Sequence, residues 1–203
     1  ANIPVILMGE TGCGKTCLLN YLAKSANIEI ERADVHGGFT AKHIRKRMNE
    51  WIKNAKRKLA ESQESLRVKL QEQTGDMKES YEKQVIVEQI KKQHKMQKTD
   101  YLWIFFDEIN TSPDIGYFKE IVCDGYFDGE PLPQNMKVIA ACNPYRKRNI
   151  QHLAEKTILD DPLAQYMYRV YPLPSTMKEY VWMFGSLSAD DEEAYCFQMC
   201  QAF

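Results

Sequence analysis

Apolar residues are clustered along the chain in short runs, each ending in glycine, acid or amide. Ile3 to Met8 is β-branched and closed by Gly9, the pattern of a strand buried on both faces. Ile28 to Val35, closed by Gly37-Gly38, reads as a second strand. Tyr101 to Phe106 is continuously apolar and runs into Asp107-Glu108, while Lys137 to Cys142 runs into Asn143-Pro144. Tyr168 to Tyr171 reads as a further strand before the Pro172-Leu173-Pro174 break. Between these runs the period changes. A helix is expected from about Gly14, with Leu18, Leu19 and Leu22 on one packed face, and a shorter one over Ile115 to Cys123. Strands alternating with helices predict an α/β fold with a parallel sheet flanked by helices.

From Thr40 to about Met96, Lys, Arg, Glu and Gln dominate, and the stretch is helical by propensity with a break near Thr74-Gly75. Residues 53–98 are expected to be a charged helical insert. Its Leu59, Leu66, Leu70 and Met77 do not sustain the heptads of a coiled coil, so a solvent-exposed helical hairpin or partly disordered arm is predicted, with a docking arm as the functional alternative. The expected organisation is a nucleotide-binding core over residues 1–174 and the start of a helical lid over 175–203. The sequence opens at Ala1 and stops at Phe203 inside a helical pattern, so a piece of something longer is expected.

With 27 Lys+Arg against 28 Asp+Glu in 203 residues, no overall charge bias points to nucleic acid or an anionic membrane. No apolar run approaches the roughly 20 residues that span a bilayer, and a cytoplasmic location is expected. The six cysteines lack the spacing of a disulfide framework and are read as reduced thiols. Cys196-x-x-x-Cys200 is read as two small buried hydrophobes in preference to half a metal site, because no second Cys/His pair answers it. His36, His43, His94 and His152 show no metal-binding spacing and are read as surface or structural, with His36 in Val-His-Gly-Gly the one expected near the phosphate site.

The chemistry is carried by Gly9-Glu10-Thr11-Gly12-Cys13-Gly14-Lys15-Thr16, a full G-x-x-x-x-G-K-[ST] motif between a predicted strand and a predicted helix. Glycines let backbone N–H groups turn inward, and the helix start, Cys17 included, adds oriented donors, so this loop is built for phosphate. Lys15 is expected at the β- and γ-phosphates and the Thr16 hydroxyl on Mg²⁺. Asp107 is expected to hold the Mg²⁺ with Thr16, and Glu108 to orient or deprotonate the attacking water. Asn143, at the end of a third strand, would bond the γ-phosphate and that water; the plainer reading is a strand-capping Asn before Pro.

The order phosphate loop, acid strand, asparagine strand resembles the AAA+ superfamily of P-loop NTPases, in which the strand asparagine is called sensor 1. The stretches PVILMGETGCGKT, VHGG, FFDEIN, IAACNPYRKR and YRVYPLPSTMKEYVWMFGSLS are together similar to the mysterin-type RING-finger AAA+ ubiquitin ligases. The likeness covers roughly Pro4 to Gly38 and Tyr101 to Ser188 and leaves the charged middle unmatched. It implies ATP with Mg²⁺ as ligands, ATP hydrolysis by one unit of a larger ligase, neighbouring AAA+ units as partners, and a link to ubiquitination machinery. It also implies a trans-acting arginine, for which Arg146, Arg148 and Arg169 are candidates by order; solvated surface charge is the other reading. No RING-like Cys/His array occurs in these residues, so ligase chemistry is not assigned to them. The alternative to a hydrolysing motor is a unit that holds ATP without turnover to stiffen a scaffold.

Overall fold

The computed structural model describes residues 3–74, 84, 87–88, 98–145, 169–185 and 188–201. Its centre is a five-stranded, all-parallel sheet. In chain order the elements are β1 (Val5–Met8), α1 (Lys15–Ala26), β2 (Glu29–Asp34), α2 (Ala41–Thr74) and β3 (Leu102–Asp107). There follow α3 (Ile115–Lys119), the small hairpin β4 (Tyr126–Phe127) and β5 (Glu130–Pro131), β6 (Met136–Cys142), α4 (Ser175–Lys178), β7 (Val181–Met183) and α5 (Ala189–Gln201). Across the sheet the order is β2-β3-β6-β1-β7.

Alternation along the strands sends side chains to two cores, as the pleat requires. Ile6 and Met8 of β1, Leu102, Ile104 and Phe106 of β3, and Val138, Ala140 and Cys142 of β6 share the larger core. Leu7, Phe105, Ile139 and Ala141, the residues between them, share the smaller one with Leu19 of α1. Both faces being buried explains why these strands are apolar throughout and show no polar alternation.

Helix α2 is 34 residues long, about 50 Å at 1.5 Å per residue. Only its first half is packed. Ile44, Met48, Trp51 and Ala55, spaced for one helix face, are buried in the larger core, where Trp51 meets Phe106 edge-on at 5.6 Å. The core-packed part therefore continues to Ala55, past the expected insert boundary at 53, and the exposed arm begins beyond it. The break expected near Thr74-Gly75, and most of the insert beyond it, lie outside the described residues.

Three expectations are corrected. The fifth strand is Val181–Met183, paired to β1, and not Tyr168–Tyr171, whose described residues 169–171 join no ladder. Tyr171 instead spends its N–H on the Asn110 carbonyl, 2.7 Å away. The sheet thus includes an edge strand inside the stretch assigned to the lid. In α1 the buried stripe is Lys15, Leu19 and Ala23, one residue per turn; Leu18 and Leu22 are exposed, because positions one step off an i, i+4 stripe are rotated about 100° away from it. Cys196 and Cys200 are exposed, not buried, since α5 lays no described side chain into either core.

Candidate functional site

The parallel sheet delivers the chemically active residues to one edge, because every strand runs the same way and ends there. β1 ends at Met8 and passes into Gly9-Glu10-Thr11-Gly12-Cys13-Gly14. Gly9 has no room for a side chain: a Cβ there would sit 2.8 Å from Cys13 Sγ and 2.9 Å from Phe184 Cβ. Gly12 and Gly14 have φ of 86° and 92°, the left-handed region that favours glycine. Gly14 caps α1 without any side-chain bond, and the first turn of α1 carries no acidic residue, so the helix start is left to receive an external anion.

Lys15 is 7% exposed. Its ammonium donates to the carbonyls of Gly9 at 2.8 Å and Glu10 at 2.9 Å, so the loop curls around its own lysine. Beside it the Thr16 hydroxyl donates to Asp107 Oδ2 at 2.9 Å, a bond between residues 91 positions apart. β6 lies between β1 and β3 in the sheet, and this bond spans the intervening strand end. A cavity of about 380 Å³ opens here, lined by Thr11, Gly12, Gly14, Lys15, Thr16, Cys17, Arg32, Asp107, Glu108 and Tyr195. A hydroxyl and a carboxylate on one side, an ammonium and a bare helix start on the other, are the donor set that a metal-bound polyphosphate needs.

Glu108 follows in the left-handed region, φ 57° and ψ 39°, unusual for a residue with a side chain. The turn after it is pinned on every side. Thr111 Oγ1 donates to the carbonyls of Glu108 at 2.8 Å and Val35 at 3.0 Å, and Ser112 Oγ donates to the Phe39 carbonyl at 3.0 Å. Asp114 accepts the N–H of Ala41, the first residue of α2, at 2.7 Å.

Asn143 is buried at the end of β6, next to the phosphate loop, where the Gly9 N–H donates to the Cys142 carbonyl at 3.4 Å. Its side chain is not among those lining the cavity. Cys142 itself is driven up to about 12 by burial, with Lys15 pulling weakly the other way, so it stays a neutral thiol.

Arg146 and Arg148 lie outside the described residues, and Arg169 is exposed away from the cavity lining. The trans-acting role expected of one of these three concerns a neighbouring unit; within this chain's own cavity the described arginine is Arg32, which the sequence reading did not single out. Arg32 of β2 donates to Asp107 Oδ2 at 3.0 Å and pairs with Asp34. Its signal was faint: a cation in a strand with alternating charge, visible as a site residue only once β2 pairs with β3 and sets Asp34 opposite Asp107. Asn110, fully buried, was also missed; the FFDEIN stretch contains it, but nothing in the spacing says what it touches. His36 and His43 line a neighbouring cavity that shares Arg32, and each uses Nδ1 to accept a backbone N–H, from Gly38 and Thr40. Among the described residues no cluster of His, Cys, Asp and Glu could hold a metal by itself, and no helix is long and apolar enough to cross a membrane.

Comparison with known proteins fits this geometry. The E3 ubiquitin-protein ligase rnf213-beta of Danio rerio is 34% identical over 220 residues, covering 97% of this chain and 4% of that protein. E3 ubiquitin-protein ligase RNF213 of Mus musculus is 34% identical over 222 residues, and that of Homo sapiens 33% over 222, each match covering 98% of this chain and 4% of the relative. The chain thus spans a small part of the length of the curated relatives it matches. The family profile described as the RNF213 AAA domain matches residues 1–66 and 51–146. This chain belongs to the RNF213 AAA domain family.

Proposed function

We propose that this chain binds ATP with Mg²⁺ and hydrolyses it as one AAA+ unit of a larger cytoplasmic E3 ubiquitin ligase, converting nucleotide state into contacts with neighbouring units. The observation that carries the reading is the Thr16–Asp107 hydrogen bond beside buried Lys15. Two residues distant in sequence meet where a divalent cation and a terminal phosphate would be received.

In this reading, residues 9–17 wrap the phosphates with backbone donors, and Lys15 exchanges its loop carbonyls for phosphate oxygens. Thr16 and Asp107 would hold the Mg²⁺, which would supply neutralisation of phosphate charge. Glu108 orients the attacking water, and Asn143 senses the terminal phosphate from the end of β6. Little covalent work falls to the protein; positioning and charge stabilisation do the rest. The beginning of a lid is α5, whose Tyr195 reaches the cavity wall. Ubiquitin transfer belongs to the longer protein and not to these residues.

The test is calorimetric titration of Mg-ATP into the chain extended beyond Phe203, unmodified and as Lys15→Ala. Saturable binding lost in the variant supports the site; equal binding in both refutes it. In the whole parent, Glu108→Gln should keep binding and abolish the turnover of this site, and normal turnover there would remove Glu108 from its role.

A further inference from the structure

Asn110 sits in the 3₁₀ turn Ile109–Thr111 immediately after the acid pair and is fully buried. Its carboxamide is spent on one residue. Nδ2 donates to the Asn143 carbonyl at 2.9 Å, while Oδ1 accepts the Asn143 N–H at 3.0 Å. The two bonds close a ring between a side chain on the acid turn and the backbone at the end of β6, much as two strands pair. Each sets the other's orientation, and neither group has water to fall back on. The side chain of Asn143, by contrast, makes no hydrogen bond among the described residues.

The backbone of Asn110 reaches in a third direction. Its carbonyl accepts the Tyr171 N–H at 2.7 Å, and Tyr171 is tied in turn through its own carbonyl to the Tyr145 hydroxyl, which also accepts the Leu173 N–H at 2.6 Å. One buried residue therefore joins the turn that carries Glu108, the strand end that carries Asn143 and the segment that returns the chain toward β7.

We infer that Asn110 is a positioning residue for Asn143, holding the asparagine's backbone in register with the acid pair so that a change at either is felt by the other and by the segment at Tyr171. The inference rests on the role given to Asn143 above. A bulky hydrophobe at position 110 would fill the space equally well, but it would leave the Asn143 N–H and C=O without partners and the Asn143 side chain without a fixed aim.

The test uses the full-length parent, reading the turnover that Lys15→Ala removes. Asn110→Ala should lower kcat at this site about 10- to 100-fold, the usual consequence of misplacing a reacting-site group by about 1 Å, with Mg-ATP affinity held within about threefold. Asn110→Asp is nearly isosteric and keeps the acceptor for the Asn143 N–H; it serves where the alanine variant yields no folded protein, and it should show the same split. Asn110→Ala combined with Asn143→Ala should be no slower than Asn143→Ala alone, because both changes remove one function. Multiplying effects, or affinity falling in step with kcat, would overturn the inference. A full kcat in Asn143→Ala alone would instead remove the role of Asn143 itself, and this inference with it, while leaving the Lys15 result standing.

Discussion

Replacing Glu108 by glycine should stabilise the protein while destroying its proposed activity. Glu108 has φ 57° and ψ 39°, and a side chain in that region costs about 1–2 kcal/mol relative to the right-handed region. Glycine removes that cost but adds about 0.5–1 kcal/mol of chain entropy to the unfolded state. Taking the middle of each range, the difference favours the variant by about 0.75 kcal/mol, since no side-chain hydrogen bond of Glu108 is lost among the described residues. For a chain of this size the melting temperature should rise by about 1–4 °C. The assay is urea unfolding of wild type and Glu108→Gly under identical conditions, with Glu108→Gln as a control that removes the charge but keeps the strain and should leave stability unchanged. The turn does not depend on the side chain of Glu108: its carbonyl is held by the Thr111 N–H at 2.9 Å and by Thr111 Oγ1. A destabilisation of more than about 1 kcal/mol in Glu108→Gly would refute the reasoning, because it would mean that the side chain is needed for the fold and that the strained backbone is not a cost accepted for placing a carboxylate at the cavity.

Arg32→Gln should lower the Mg²⁺ concentration needed for half-maximal ATP binding by about fivefold, because a guanidinium competing for Asp107 is removed; the pair is half exposed on the Arg32 side, so about 1 kcal/mol is expected and not the larger figure of a buried pair. An unchanged Mg²⁺ dependence in titrations at fixed ATP would count against this. Alkylation with iodoacetamide at pH 8, mapped by mass spectrometry, should label Cys17, Cys196 and Cys200, which are exposed, and spare Cys142, which is buried with its thiol pushed up to about 12; early labelling of Cys142 in native protein would contradict its place in β6. The Glu29 carboxyl is lowered, first by its bond from Lys58, and this pair ties β2 to α2. A lowered carboxylate stabilises above its unfolded value and loses that contribution as the pH falls through its folded value, so Lys58→Met should cost more stability at pH 7 than below the folded value of Glu29, where only the Lys58 bond to the Thr99 carbonyl, 3.1 Å, is still lost. An equal loss at both pH values would show that Lys58 acts through packing and its Thr99 bond and not through Glu29.

What could be read from the chain alone was whatever is local or strictly periodic. The G-x-x-x-x-G-K-T run, its seat between a strand and a helix, and the apolar strands ending in Asp107-Glu108 and Asn143 were legible, because strand burial on two faces leaves an uninterrupted apolar run and a phosphate loop needs glycine at fixed places. Propensity also carried the long α2, since an isolated charged helix announces itself by composition. The tertiary structure decided the rest. Spatial order β2-β3-β6-β1-β7 put β6 between the phosphate loop and the acids, brought Arg32 to Asp107, and joined Asn110 to Asn143 across 33 positions. It recruited Val181–Met183 to the sheet, where a three-residue strand is too short to show a period, and left Leu18 and Leu22 outside the packed stripe of α1. Such facts depend on which neighbour completes each hydrogen bond or covers each side chain. That neighbour is selected by the packing of the whole sheet, so no window of the sequence contains it.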